Sequence, residues 1–456
     1  MKTRIGILAF YNEGYSPEVL KNRIRKNIVP IKENSLIDVI FEGEVTDYGS
    51  ARKISLQIKD MHIDCLVVII ASWTESRCVF ENIQYFFHKP ILLWSTTGII
   101  DAEGVLNSPA PIGGIAPIVA DLRYFTDARF KYIRDSHEKG IAVCEALDFI
   151  QSCGSLSRLK NMRICILGLG IGHTYTFNFD SISIEKLFGI QVEEIDILEI
   201  VNLIRGYTEK YVRKETALFE ENFDLRGRID ASTLLNTVKV YKALSEIIEN
   251  YSFDALMLNC FQFGDVFGTT LCLPFTMLGE VVPCKGGSDV MSAVTQLILR
   301  ELSGKVTTYL EVFEQLDSRR LLMSSCGYAP KSLCIDEKVL CGQGKWGDTN
   351  LPGIKNCSLM KEGLITLARL SYKGSSFIMH LAKGNATKPR PFRELDMHWN
   401  GISKMPCTPG LELELLTSSA DDFLNAVVSS HYDVVYGDYI DRIVMFCELA
   451  NIPYII

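Results

Sequence analysis

The stretch "VVPCKGGSDVMSAV", residues 281–294, joins three patterns that are typical of a parallel α/β sheet. It predicts a buried strand, "EVVPC" (280–284), then a glycine-rich turn and the start of a helix. The helical segment "DVMSAVTQLILRELSGK" (289–305) has one apolar face, and Gly304 ends it. Open α/β sheets bind ligands just beyond the carboxyl ends of their strands. Asp289 is therefore a candidate both for the helix cap and for a site.

The same alternation of apolar runs and helical periodicity extends on both sides of this stretch. It predicts a first sheet from strands near 4–10, 37–45, 65–72 and 90–96, and a second from strands near 162–169, 191–197 and 253–260. After residue 305, segments such as "LITLARLSY" (364–372) and "SSFIMHLAKGNA" (375–386) predict antiparallel strands. We predict an α/β protein with two doubly wound Rossmann-like domains, 1–155 and 156–305, and a β-rich domain with a closing α/β segment, 306–456.

Composition limits the possible classes of function. The 456 residues are 47% hydrophobic and 22% charged, with a net charge of −8, which predicts a soluble protein and no nucleic-acid partner. The longest apolar runs, such as "CLVVIIA" (65–71), are too short to span a membrane, and no signal peptide is recognisable. The 14 cysteines form no CxxC pair, so we expect reduced core thiols, no structural zinc site and a cytoplasmic location.

The loop "GLGIGH" (168–173) follows a predicted strand, as a dinucleotide-binding loop does. Its spacing is GxGxG instead of GxGxxG, and the acidic partner could be Glu193, Glu194 or Asp196. A glycine-rich turn occurs in any doubly wound sheet. Nucleotide binding is therefore a weak third hypothesis.

Asp265 and Asp289 each follow a predicted buried strand, so both face one crevice if the two strands are neighbours. Two carboxylates there could hold Mg²⁺ or Mn²⁺. Spacing alone favours the plainer alternatives, a helix cap for Asp289, which Ser288 could equally supply, and a solvated loop acid for Asp265. His431 opens a strand near the C-terminus, and no HxH or HxxxH pair occurs among the seven histidines.

Five segments, taken in order, resemble the L-fucose/L-arabinose isomerase family from about residue 160 to the end. They are "MRICILGLGIGHTYTFNFDSISIEKLFGIQVEEIDILEI", "FDALMLNCFQFGD", "CKGGSDVMSAVTQLILRELSGK", "MSSCGYAPKSL" and "SHYDVVYGDYIDRIVMFCELANIPYI". The resemblance implies a C-terminal barrel-like domain and a homo-oligomer, a trimer or hexamer. It also implies a Mn²⁺-dependent enzyme that interconverts an aldose and a ketose, with a pentose, a 6-deoxyhexose or a derivative as substrate.

The resemblance also implies roles for individual residues. The reaction passes through a cis-enediol whose charge a divalent cation can hold. Carried over by position, Asp265 or a neighbour is the base and a metal ligand, Asp289 the acid and a metal ligand, and His431 the third ligand.

Several polar positions depart from the family pattern. Where the family has a Cys-Glu-x-Asp turn, this chain has Cys284, Lys285 and a glycine-rich turn, and Gln262 and Ser325 also stand at changed positions. We expect Lys285 to recognise an anionic group or to assist proton transfer, and Gln262 and Ser325 to bind substrate. The alternative is a sugar-binding relative, without catalysis or with altered chemistry, whose metal site is degenerate.

Overall fold

The computed structural model describes residues 2–168, 174–225, 229–345, 352–389 and 409–456. Its internal contacts divide the chain into two compact units. The first comprises Met1–Arg158 and Asp441–Asn451, and the second comprises Leu159–Ile440 and Ile452–Ile456. The predicted division into three domains, and their Rossmann-like character, stay predictions.

The first unit is built on a five-stranded parallel sheet. The unit has seven strands, five of which form this sheet. They are β1 (Thr3–Phe10), β2 (Ile37–Val45), β3 (Cys65–Ile70), β4 (Ile91–Ser95), β5 (Ile99–Ile100), β6 (Leu106–Asn107) and β7 (Phe130–Arg134). Its helices are α1 (Pro17–Lys32), α2 (Tyr48–Ile58), α3 (Ser76–Ile83), α4 (Pro111–Phe125) and α5 (Val143–Leu159). The sheet order is β2-β1-β3-β4-β7, while β5 and β6 form a separate hairpin. Successive residues of β1 enter two different hydrophobic clusters, so both faces of the sheet are covered.

Local sequence signals account for the bounds of several of these elements. The bounds of β2 are those expected for "IDVIFEGEV", and β1 extends the expected strand by one residue. Helix α1 has Ser16 at its N-cap and Pro17 in its first turn, where the missing N–H of proline has no intrahelical partner to lose.

The second unit contains the remaining strands, which form three sheets. They are β8 (Arg163–Leu167), β9 (Gln191–Ile195), β10 (Phe223–Asp224), β11 (Ala255–Leu258), β12 (Cys284–Gly286), β13 (Thr308–Gln315), β14 (Arg320–Ser324), β15 (Val339–Lys345), β16 (Pro352–Asn356), β17 (Gly363–Lys373), β18 (Ser376–Thr387), β19 (Gly410–Leu415), β20 (His431–Tyr436) and β21 (Tyr454–Ile455). Four of them make a parallel sheet in the order β12-β11-β8-β9, and β10, β15 and β16 make a small sheet of their own.

Helices cover the parallel sheet and close the chain. They are α6 (Ser181–Phe188), α7 (Ile197–Gly206), α8 (Arg213–Asn222), α9 (Ala231–Tyr251), α10 (Cys260–Phe267), α11 (Cys272–Leu278), α12 (Val290–Ser303), α13 (Ala420–Ala426) and α14 (Ile440–Ala450). Helix α12 has the predicted ends, with Asp289 as its N-cap and Gly304 in the left-handed region at its C-cap. Most of α14 belongs to the first unit, where Met445 and Leu449 join the core.

One predicted strand is wrong in position. "EVVPC" (280–284) is not a strand; the extended segment begins only at Cys284 and continues through Lys285 to Gly286. The backbone N–H of Val282 still bonds the carbonyl of Leu278 at the end of α11, which keeps the preceding residues in a helical turn. Lys285 therefore lies in β12 instead of in the turn.

The β-rich part is a closed barrel of six antiparallel strands. The order is β17-β20-β13-β14-β19-β18, and pairing between β17 and β18 closes the ring. β21 pairs in parallel with β18 at Met379 and His380, beyond the stretch of β18 that pairs with β19. Apolar side chains of the barrel form one buried cluster, which includes Leu367, Leu413 and Val434. The predicted mixed α/β fold with parallel sheets and a barrel is confirmed at this level.

The positions of most described cysteines are those expected for core thiols. Most of the 13 cysteines in the described part of the chain are buried. Among the described helices, none combines the length and the apolar character needed to cross a membrane.

Candidate functional site

The candidate site lies in the second unit, beside the carboxyl ends of two parallel strands. β11 and β12 are hydrogen-bonded neighbours, which is the condition under which the sequence predicts that Asp265 and Asp289 face one crevice. Beyond β12, Gly287 and Ser288 adopt left-handed backbone angles, with φ of 82° and 55°. This turn takes the chain directly into α12 and fixes Asp289 at the start of the helix.

Asp289 is both a helix cap and the centre of a buried ion-pair network. Its Oδ1 accepts the backbone N–H of Ser292 at 3.1 Å. Arg369 donates from Nη1 to Oδ2 and from Nη2 to Oδ1, each at 2.9 Å, and Lys285 donates to Oδ2. Burial would raise the pKa of Asp289, but Arg369 and Lys285 outweigh burial and hold this pKa well below its ordinary value. The carboxylate is therefore ionised, and the cap and the site are one feature.

Two aromatic rings enclose the ammonium group of Lys285. The side chain is 1% exposed, and its Nζ lies 4.9 Å from the ring centre of Phe177 and 4.7 Å from that of Tyr309. Ring faces carry partial negative charge and attract an ammonium ion. Burial lowers the pKa of Lys285, and the neighbouring Asp289 opposes this change.

His431 pairs with a carboxylate across two barrel strands. The register of β13 and β20 places it directly opposite Glu311, and its Nε2 lies 2.8 Å from Glu311 Oε1. The imidazole lies 5.0 Å from the ring of Phe177 and 5.1 Å from that of Tyr309, measured between ring centres. These are the two rings that flank Lys285, so one aromatic pair joins the lysine and the histidine.

The environment of His431 favours its neutral form. Burial lowers the pKa of His431, Lys285 lowers it further, and Glu311 opposes them without cancelling the shift. A neutral imidazole whose Nε2–H is held by a carboxylate can accept a proton at Nδ1. The His431–Glu311 pair therefore has the arrangement of a general base in which His431 accepts the proton.

A second buried carboxylate, Asp433, lies near the same arginine. Its Oδ1 accepts hydrogen bonds from Ser292 and, at 3.1 Å, from Gln296 Nε2. Its Oδ2 lies 3.9 Å from Arg369 Nη1 and has no hydrogen-bond partner among the described residues. Burial raises the pKa of Asp433 to about 7, although Arg369 opposes this rise.

Sequence reasoning missed Arg369, Asp433 and Glu311. Arg369 and Asp433 each left a usable signal, since each is a charged residue within an otherwise apolar strand segment, "LITLARLSY" (364–372) and "HYDVVY" (431–436). A charge buried in such a strand requires a partner. Glu311 left no such signal, because a second acidic residue, Glu314, follows it in the same strand.

The other predicted site residues are placed as follows. Gln262 and Asp265 belong to α10, so Asp265 is in a helix instead of a loop, and the side chains of both lie outside the described residues. Ser325 is buried and donates to the carbonyl of Tyr328. In the loop "GLGIGH", residues 169–173 lie outside the described residues as well.

The predicted manganese ligands whose side chains are described do not fit a manganese site. Within the described ranges, no group of three His, Cys, Asp or Glu residues is arranged to hold a metal. Asp289 is already bound by two cationic side chains, and His431 Nε2 is paired with Glu311. The side chain of Asp265, the third predicted ligand, lies outside the described residues, and manganese stays a prediction.

Comparison with known proteins shows similarity over nearly the whole chain. Sulfoquinovose isomerases from Priestia aryabhattai and from Priestia megaterium are each 21% identical to it over 448 residues, which cover 95% of this chain and 95% of each relative. The chain is similar to sugar isomerases.

Two other comparisons add nothing to this similarity. No protein-family model matches the chain. An ABC transporter solute binding protein from Burkholderia multivorans matches with a TM-score of 0.16 and 11% identity, covering 67% of this chain and 95% of that one, and this likeness carries no argument.

Proposed function

We propose that this protein is an aldose–ketose isomerase whose substrate is a sugar with an anionic substituent. The observation that carries the proposal is the similarity to sulfoquinovose isomerases, which extends over 95% of both chains. A similarity that covers 95% of both chains extends into the parallel sheet and the barrel, which hold the candidate site. The finer placement near L-fucose and L-arabinose isomerases rests on the motifs quoted above.

The charges of the site support an anionic substrate. Lys285 and Arg369 contribute two buried positive charges, while Asp289 contributes one firmly ionised carboxylate. The pKa of Asp433, raised by burial to about 7, leaves this second carboxylate partly protonated at neutral pH. Sulfoquinovose carries a sulfonate, which is ionised at that pH. Among these four fully buried residues positive charge exceeds negative charge, while the negative charge of Glu311 is 29% exposed and screened by solvent, so the buried network favours such a sugar over a neutral one.

The reaction needs a base that moves a proton between C2 and C1 through a cis-enediol. We assign this role to His431, held by Glu311 at 2.8 Å. Both side chains retain some exposure, 14% and 29%, while Asp289 and Lys285 are almost fully enclosed. The Nδ1 of His431 lies 3.3 Å from the hydroxyl of Ser430, which can relay a proton.

A divalent cation, when bound, would supply positive charge to the two substrate oxygens. Asp265, Asp289 and His431 are its predicted ligands, but the partners of Asp289 in the described site do not fit that role. We therefore assign no step of the reaction to a metal. Binding, orientation and proton transfer are assigned to the side chains of this chain.

The test follows isomerisation by NMR in D₂O with sulfoquinovose, D-glucose, L-fucose and L-arabinose. We expect a ketose product and solvent deuterium at the transferred position with sulfoquinovose, and much slower reaction with glucose, which shares the ring but lacks the sulfonate. The variant His431→Gln should bind the sugar and fail to exchange deuterium. Binding without exchange by the wild type would instead favour the sugar-binding alternative, and neither binding nor exchange with any of the four sugars would refute the proposal.

We also propose a homo-oligomer, a trimer or hexamer, on the resemblance alone. Light scattering coupled to size exclusion measures the mass directly. A mass near the 51.2 kDa of one chain would contradict it.

A further inference from the structure

The hydrogen-bonding capacity of the Asp289 carboxylate is full. Four donors converge on its two oxygens: Lys285 Nζ, Arg369 Nη1 and Nη2, and the backbone N–H of Ser292. An ionised carboxylate offers about four lone-pair positions. A metal ion could bind Asp289 only by displacing at least one of these donors.

Charge opposes such a displacement. Lys285 and Arg369 are both in direct contact with Asp289, so an incoming divalent cation would meet two positive charges at short range. Arg369 is held by both of its terminal nitrogens, and its guanidinium is fully buried. The arginine therefore cannot turn away to solvent without breaking a bidentate pair.

The ammonium of Lys285 occupies a place built for a cation. It has the carboxylate of Asp289 on one side, and the rings of Phe177 and Tyr309 at 4.9 and 4.7 Å. The imidazole of His431 packs on the same two rings. A carboxylate and two rings, on which a histidine also packs, thus surround a positive charge that the chain itself supplies.

We infer that Lys285 is a resident cation, which takes the position beside Asp289 and His431 that the predicted manganese would need. Asp289 is then a structural anion for Lys285 and Arg369 and not a metal ligand. On the proposed isomerase function, Lys285 acts as a positioning residue that supplies positive potential to the His431 region. The reaction proceeds without added manganese.

The first measurement is the metal content and Mn²⁺ affinity of the full-length protein, after EDTA treatment and re-equilibration with MnCl₂. Elemental analysis and the electron paramagnetic resonance signal of free Mn²⁺ report binding without any need for turnover. We expect far less than one manganese per chain and no shift of the melting temperature on adding Mn²⁺. One manganese per wild-type chain that Asp289→Asn removes would overturn the inference.

The second measurement tests variants in which the positive charge of Lys285 is replaced or removed. Lys285→Glu replaces the resident cation by a second carboxylate beside Asp289, and Lys285→Gln removes the charge while retaining length. We expect Lys285→Glu to gain Mn²⁺ binding and a metal-dependent rise of the melting temperature, with a smaller gain for Lys285→Gln. If Lys285→Glu does not fold, Lys285→Gln and the wild type still decide the inference. Equal Mn²⁺ binding by wild type and both variants would contradict it.

Lys383→Gln is the matched control. Lys383 also forms an ion pair, with Asp438 at 2.6 Å, but this pair is partly exposed on the surface. Its loss should leave the manganese content unchanged. If the wild type binds no manganese and isomerises no sugar, the proposed function is refuted and the inference about Lys285 is supported. If it isomerises sugar only after manganese is added, the proposed function is supported and the inference about Lys285 is refuted.

Discussion

Arg369 and Asp289 form a bidentate ion pair, and both side chains are fully buried. The distance from Nη1 to Oδ2 and the distance from Nη2 to Oδ1 are each 2.9 Å. The two residues are 80 positions apart in the chain. Their pair ties barrel strand β17 to the first turn of α12, which begins beside the parallel sheet. The second unit is thus held together through a charge contact as well as through its apolar core.

Removing the charge of Asp289 should therefore destabilise the protein strongly. In Asp289→Asn, the positive charges of Lys285 and Arg369 lose their ionised partner, and breaking a buried pair in this way costs about 3–5 kcal/mol. Urea unfolding measures the change. The control is Asp438→Asn, which breaks the partly exposed pair with Lys383 and should cost about 1 kcal/mol or less. Equal losses for the two variants would contradict the central role of Asp289.

The second prediction concerns the pH dependence of catalysis. The pKa of His431 is lowered by burial and by Lys285, so its basic form is present at neutral pH. We expect kcat/KM to rise with pH through a pKa below 6.5 and to level off above it. Glu311→Gln removes the group that opposes the lowering, so the acidic limb should move to lower pH. His431→Gln should lower kcat by about 10²–10⁴-fold.

The pH profile separates catalysis from folding. A structural role for His431 would lower activity in the variant without any shift of the acidic limb in Glu311→Gln. Circular dichroism and the melting temperature of both variants, measured across the same pH range, identify any loss of fold. An acidic limb that stays in place in Glu311→Gln would refute the pairing as a functional one.

The third prediction compares two glycines with similar backbone angles. Gly287 has φ of 82°, and a Cβ there would meet Phe177 at 3.3 Å; Gly304 has φ of 68° and open space around it. Alanine at either position costs about 1–2 kcal/mol because left-handed angles strain an L-residue. Only Gly287→Ala also pushes Phe177, which flanks Lys285 and His431. We expect both to lower the melting temperature, and only Gly287→Ala to lower kcat/KM.

The sequence predicted the parts of the fold that depend on local signals. Asp289 and Gly304 marked both ends of α12, and the apolar runs placed most of the parallel strands. The strand predicted over 280–284 was wrong. Its two valines and a proline are typical of a buried strand, but the backbone there continues the turn after α11. That error shifted Lys285 from the strand into the turn.

Only part of the site could be predicted, because its remaining members meet through tertiary contacts. Asp289, Lys285 and His431 were found from a turn motif and a family resemblance. Arg369 joins Asp289 from a barrel strand 80 residues away, and Glu311 meets His431 only through the register of β13 and β20. No spacing in the chain encodes those pairings, so the compensation of Asp289 by two cations was visible only in the structure.

The fourth prediction is a change in how stability depends on pH. Burial raises the pKa of Asp433 in the folded protein to about 7, while an unfolded aspartate titrates near ~3.9. The folded state therefore binds more protons between these values, and its stability falls as pH rises through this window, by up to about 4 kcal/mol. Asp433→Asn mimics the protonated form and removes the titration. The variant should thus gain stability relative to the wild type as pH rises from 5 to 7, in urea unfolding at each pH.

Asp317→Asn is the control for this titration. The pKa of Asp317 is lowered by its hydrogen bond to Arg320, so this aspartate is ionised in both the folded and the unfolded state above pH 5. The difference in unfolding free energy between Asp317→Asn and the wild type should then be constant from pH 5 to pH 7. If Asp433→Asn shows the same constant difference, Asp433 is ionised throughout this range, and the excess of buried positive charge that supports an anionic substrate is absent.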